Sequence, residues 1–230
     1  MTQKIVGHNI YDFDLRYLTH WSAFNGAKGS QFLQPVNGRY WPSVYYDLMA
    51  WHNAGKYGAS FISLSDLAVC FGLEPKEENG KHFHLWDQDK KEEYLAHDLY
   101  LTDGIFKQVN EAFNIADEWM VFDIETAPKT LEELQEIVPP FDRDNVAVPK
   151  TYKKQEVIDN YIDKAEAEYW PNILDKAALH ATHSDPIAIG YRYSDGRVEM
   201  DFDEPVALCN KFWEKCSEVL HNELKAKNKY

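Results

Sequence analysis

Three features of the sequence predict an α/β fold with a mixed sheet flanked by helices. Short β-rich apolar runs alternate with segments of helical spacing. One pair of alternating runs closes on Ser194-Asp195-Gly196 and so reads as an antiparallel hairpin. The chain is 230 residues long and 44% hydrophobic, enough to bury a core, yet it lacks the run of about eighteen apolar residues that a membrane-spanning helix needs.

Taken in order, Lys4–Ile10 ("KIVGHNI") reads as a buried strand followed by a turn. Asp14 to about Phe24 has Leu15, Leu18 and Trp21 at helical spacing. Gly26–Pro42, rich in Gly, Asn and Pro, reads as loop. "SVYYDLMAWH" reads as a helix with Ser43 at its N-cap, and "SFISLSDLAVCFGL" as a short helix capped by Ser63 or Ser65 and ended at Gly72. "EPKEENGKHF" reads as a charged surface loop. Asp89–Phe113 is a long amphipathic helix, with Tyr94, His97–Asp98, Leu101 and Ile105 three or four apart. "NIADE" (Asn114–Glu118) is a connector, and "WMVFDIE" a buried strand. A short helix and a proline-broken loop follow, then a charged helix over Thr151–Trp170. The hairpin "DPIAIGYRYSDGRVEMDF" comes next. The last element is an amphipathic helix over Glu204–Lys227 with Val206, Cys209, Phe212, Trp213, Cys216 and Leu220 on one face.

Three cysteines, Cys70, Cys209 and Cys216, are too few for a disulfide framework. With no secretory leader in "MTQKIVGHNIYDFD", they point to the cytoplasm. The formal net charge of −14 disfavours a passive nucleic-acid binder, because phosphates attract basic surfaces. It disfavours a metal-dependent nuclease less, since carboxylates around divalent cations are counted here as bare charges.

Asp123 and Glu125 in "MVFDIETAP" are i and i+2 on a strand, so both carboxylates project from one face. Their repulsion would be relieved by a divalent cation, or by solvent if the strand simply emerges there. Asp14 stands just past the first strand, after Asn9 and beside Phe13. Tyr94 and Asp98 are i and i+4 on one helix face, either a shared site or a local Tyr–Asp hydrogen bond. His180 and His183 in "HATH" have a spacing that zinc can use, but turn residues surround them and no Cys is near, so a surface pair is expected. His82 and His84 are expected at the surface, and His97 beside Asp98 could tune it.

Together, Asn9-x-x-x-Phe13-Asp14, Tyr94-x-x-x-Asp98 and Asp123-x-Glu125-Thr126 resemble the three motifs of the DEDDy-type 3′–5′ exonucleases of the ribonuclease-H-like superfamily. The surrounding text, including "VGHNIYDFDLRYL", "SLSDLAVCFGL", "YLAHDLYLT" and "KAALHATHSDPIAIGYRYSDG", is similar to stand-alone exonucleases related to the proofreading domain of family B DNA polymerases. The resemblance covers nearly the whole chain. It departs from the family in order: the Asp-x-Glu motif, first in the family, comes last here. Moving 119–230 ahead of 1–113 restores the family order, with 114–118 as the join, so the resemblance implies one circularly permuted domain over 1–230. Termini that lie close together at a surface make such a rearrangement tolerable.

The resemblance implies hydrolysis assisted by two divalent cations, Mg²⁺ or Mn²⁺, at 3′ ends of single-stranded DNA. Asp123 would bridge both ions. Glu125 and Asp98 would complete the site that activates water, and Asp14 would support the second ion. Tyr94 would hold the water in line, and Thr126 would face the terminal nucleotide, with Asn9 and Phe13 in substrate binding. RNA trimming and a non-catalytic interaction module are the alternatives. Trp41, Tyr40 and Phe13 are candidates for base stacking, against core or lid packing. Lys150, Lys153, Lys154 and Lys81 are candidates for phosphate contact, against a solvated surface. A monomer is expected, with a dimer of exchanged halves, which a short join can favour, as the alternative.

Overall fold

The computed structural model describes residues 2–29, 43–53, 61–77 and 80–227. Five strands form one sheet in the order β2-β1-β3-β4-β5, with β1 at Gln3–Gly7, β2 at Tyr45–Asp47, β3 at Glu118–Pro128, β4 at Ser184–Tyr193 and β5 at Val198–Asp201. β1 runs parallel to both neighbours, pairing Ile5 with Tyr45 and Val6 with Val121. β4 and β5 are antiparallel, as their Ser-Asp-Gly turn predicts. The sheet is therefore mixed, and helices flank it.

Two compact units divide the chain: Met1–Thr126 with Pro186–Tyr230, and Ala127–Asp185. In the first, consecutive β1 residues serve opposite faces of the sheet, and both are buried. Val6 joins the cluster formed with α3 (Leu64–Cys70) and α4 (Gln88–Phe113), which includes Leu67, Leu95, Leu99 and Phe106. α7 (Pro205–Lys227) packs on β1 and on α1 (Asp14–Asn25). Its Phe212 ring lies 4.9 Å from that of Phe122 on β3, and Trp213 donates to Ser22 at 2.9 Å. Close approach of α4 to β4 requires Gly190, where a Cβ would meet Leu95 and Leu99 at 2.8 Å. Asp103, buried on α4, ties three elements together: it accepts from Trp119 of β3 and pairs with Arg192 of β4 and Lys107.

The second unit contains α5 (Leu131–Ile137), closed by a Thr130/Glu133 capping box, and α6 (Gln155–Ala177). His180 and His183 stack with centroids 4.5 Å apart. Among the described residues the one cluster of three or more metal-ligating side chains lies elsewhere, in the first unit.

Several elements differ from the sequence reading. Residues 43–52 are not one helix: Tyr45–Asp47 form β2, and α2 spans Leu48–His52 with Asp47, not Ser43, as its cap. Tyr45 and Tyr46 suit a pleated strand, and pairing with β1 decides between two periods that a short apolar run cannot distinguish. The helix expected over Thr151–Trp170 starts at Gln155 and runs through Pro171 to Ala177. Proline denies a hydrogen bond to the carbonyl four residues back, but Ala167 is exposed and water can serve it. No helix among the described residues is long and apolar enough to cross a membrane. Cys209 and Cys216 are buried free thiols, and Cys70 is exposed.

Candidate metal centre and active site

The cleft begins where β1 ends and β3 runs on beyond it. Val6 pairs with Val121, so Asp123 stands just beyond the level at which β1 turns away. The turn after Gly7 carries Asn9 in the left-handed region (φ 62°) and leads to Asp14, the first residue of α1. Asp47, at the end of β2, shapes this turn. Its carboxylate accepts from the backbone N–H of Asn9 (3.0 Å) and Tyr11 (2.9 Å) while capping α2 through Met49 (2.9 Å) and Ala50 (3.2 Å). Tyr11 O–H also donates to the Tyr45 carbonyl at 2.9 Å. Asp47→Ala would orphan four N–H groups, and we expect a loss of about 2 kcal/mol in urea unfolding. Asp47→Asn, which keeps one acceptor oxygen, should cost less. An unchanged midpoint for Asp47→Ala would show that the turn needs no carboxylate.

α4 brings the second pair. With Leu95 and Leu99 buried, Tyr94 and Asp98 line the cleft together with Asp123 and Glu125 of β3. The Tyr94 ring is held edge-on by Phe83 (5.9 Å) and Trp86 (5.3 Å). Gly80 makes room for its hydroxyl, since a Cβ there would stand 2.9 Å from it.

These segments line one cleft of about 520 Å³ with Asn9, Phe13, Asp14, Tyr94, Asp98, Asp123 and Glu125. Carboxylate oxygens of Asp98, Asp123 and Glu125 lie within 4.8 Å of one another, close enough to chelate one divalent cation. Hard oxygen donors suit Mg²⁺ or Mn²⁺ better than zinc, which favours nitrogen and sulfur. Asp14 joins the cluster electrostatically. Burial raises its carboxyl well above the usual range, and Asp123 adds to the rise. Burial and the Asp98 charge push Asp123 up to about 7. Burial, then Asp123 and Asp98, raise Glu125 well above an ordinary glutamate. Burial also raises Asp98, and Lys76 offsets part of that.

The sequence places Lys76 in a charged surface loop, and the structure differs. Its side chain turns inward, with Nζ 2.8 Å from each Asp98 carboxylate oxygen and 2.8 Å from the Tyr94 hydroxyl. Burial works to lower its ammonium, but Asp98 and Tyr94 prevail and hold it above an ordinary lysine. Four carboxylates against this one ammonium leave a formal charge of −3.

The cleft also holds two residues the sequence did not signal. Phe61, 69% exposed, lines it beside His8. His8 Nε2 lies 2.9 Å from the Ile62 carbonyl, which can only accept, so Nε2 carries the proton. Burial lowers the His8 pKa, keeping the ring neutral. Its Nδ1 and the Oδ1 of Asn9 are buried acceptors without a hydrogen-bond partner among the described residues, and both residues line the cleft.

The remaining candidates lie elsewhere. Thr126 follows Glu125 on β3 and is half-buried. Lys81, Lys150, Lys153 and Lys154 are exposed, as a solvated surface would have them. His82 is exposed, His84 is half-buried, and the charge of His97 helps pull Asp98 down. Tyr40 and Trp41 fall outside the described residues.

Fold and site thus define an α/β protein whose sheet presents a carboxylate cluster fit for a divalent cation. No family model matches the chain, and neither a curated protein nor a solved structure matches it.

Proposed function

We propose that the chain is a metal-dependent 3′–5′ exonuclease acting on single-stranded 3′ ends, with DNA as the first substrate. The observation that carries this reading is the convergence of Asp98, Asp123 and Glu125 in a cleft also lined by Asp14, Tyr94, Asn9 and Phe13. Those seven residues come from three motifs scattered between positions 9 and 125, and nothing in ordinary core packing requires them to meet.

Asp123, Glu125, Asp98 and Asp14 would hold two Mg²⁺ or Mn²⁺ ions, whose chemistry is to stabilise charge on the attacking and leaving oxygens of an in-line displacement. Tyr94 orients the attacking water. An ammonium only donates, so the Tyr94 oxygen accepts from Lys76 and its own proton is left to donate, to Asp98 or to water in the cleft. Asn9 offers a buried acceptor to the terminal nucleotide, Thr126 faces it, and Phe13 and exposed Phe61 offer rings to unpaired bases. Residues 1–230 act as one permuted domain and as a monomer. Packing of α7 against β1 and α1 supports the permuted order, because it places the last helix beside the first strand and first helix.

Incubation of 5′-labelled single-stranded DNA and RNA with Mg²⁺ or Mn²⁺ tests the proposal. A ladder shortening by single nucleotides is expected, and the two polymers compared give the sugar preference. Tyr94→Phe should slow each step about 10²-fold, the scale of lost positioning, while leaving Mn²⁺ binding intact. Release of no nucleotide from either polymer, by protein that binds Mn²⁺, would sink the reading.

A further inference from the structure

We infer that Lys76 is an internal counter-ion that occupies the carboxylate cluster in the absence of a divalent cation and competes with that cation for Asp98. The inference rests on the metal-binding part of the proposed function and adds a cost to it. Asp98 is one of the three residues whose oxygens gather within 4.8 Å, and it is buried. Both of its oxygens already face the Lys76 ammonium at 2.8 Å. A cation taking Asp98 as a ligand therefore meets a like charge on the same oxygens. The lysine must withdraw or share.

The surroundings show that the ammonium is built in. Its side chain is 17% exposed, and Nζ stands 4.7 Å from the centre of the Tyr94 ring, which adds a cation–π contact. The Tyr94 hydroxyl accepts from it. The fold thus supplies Lys76 with a carboxylate, a hydroxyl and an aromatic face. In the cation-free protein this pairing shields one of four clustered acids that would otherwise repel at short range. It also keeps Asp98 and Tyr94 in place for the loaded state. Lys76 is in this sense a positioning residue whose hold is exchanged for that of the metal.

The test is a Mn²⁺ titration, read by the signal of free Mn²⁺, on the wild-type protein, Lys76→Met and Lys76→Arg, together with thermal unfolding in EDTA. Loss of a single like charge at this range, partly screened by solvent, should tighten Mn²⁺ binding about tenfold in Lys76→Met. Lys76→Arg, which keeps the charge, should bind within about threefold of wild type. In EDTA, Lys76→Met should melt lower than wild type, and Mn²⁺ should raise its Tm by more than it raises the wild-type Tm. Affinity in Lys76→Met that is unchanged or weaker would overturn the inference. If Lys76→Met is unfolded in EDTA, recovery of its fold by Mn²⁺ supports the exchange, and failure to recover overturns it. Absence of Mn²⁺ binding by the wild type would instead remove the metal reading itself.

Discussion

Asp123→Asn should abolish nucleotide release while making the cation-free protein more stable. The two effects have one cause. Asp123 lies on β3 with Glu125, and the carboxylates of both cluster with that of Asp98 on α4. Burial and the Asp98 charge raise its carboxyl to about 7, so an ionised Asp123 at pH 8 is held against the preference of its surroundings. Asparagine keeps the shape and removes the charge. Without a cation, the remaining acids repel less, and we expect the Tm in EDTA at pH 8 to rise by about 3 °C. With a cation, one of the three clustered carboxylates is gone. Removal of one preorganised electrostatic group costs about 10³-fold in rate in well-studied enzymes, and a ligand to both proposed ions should cost at least that. Mn²⁺ affinity should fall in parallel. Stability gained where activity is lost marks strain kept for function. A Tm that falls together with activity would mean that Asp123 is a structural residue and that the cluster is incidental.

How much of this was legible in the sequence depends on the range of each interaction. Asp123 with Glu125 and Tyr94 with Asp98 are local pairs, fixed by the strand period of two and the helix period of 3.6, and both could be placed on a face from spacing alone. The hairpin and the long helix were legible for the same reason, and so was the mixed α/β class. Asp47 and Lys76 were not. Asp47 acts on Asn9 across 38 positions, and Lys76 acts on Asp98 across 22, through loops whose course no local pattern sets. One signal was available for Asp47: an Asp directly before "LMAWH" is a good N-cap, and a helix begun at Ser43 hid it. For Lys76 the only hint was indirect. Four acids expected in one site call for a positive neighbour, but they do not say which of several lysines in a charged loop turns inward.

Without a cation, stability should fall as pH rises from about 4 through 7, and a divalent cation should reverse the trend. Asp14, Asp98, Asp123 and Glu125 all have carboxyls raised by burial, helped in three of them by the charge of a neighbouring acid. The sign follows from linkage. A carboxyl raised in the folded state binds its proton more tightly there than in the unfolded chain. Its stabilising contribution is therefore complete below the unfolded value, near 4, and is lost as pH climbs through the folded value, about 7 for Asp123. Lys76 shifts the other way in charge but not in sign: its raised ammonium stabilises the fold throughout this window and moderates the loss without cancelling it. Between pH 4 and pH 8 the four acids together should therefore lower the Tm measured in EDTA, with solvent access to the half-buried Asp123 and Glu125 reducing their share. Mn²⁺ or Mg²⁺ binds the deprotonated carboxylates, so its stabilisation grows over the same range. Thermal unfolding in EDTA and in saturating Mn²⁺ at half-unit pH steps would then give two curves that diverge above about pH 6. Parallel curves would mean that the acids neither titrate together nor gather around a cation, and the carboxylate cluster would lose its claim to be the working centre of the molecule.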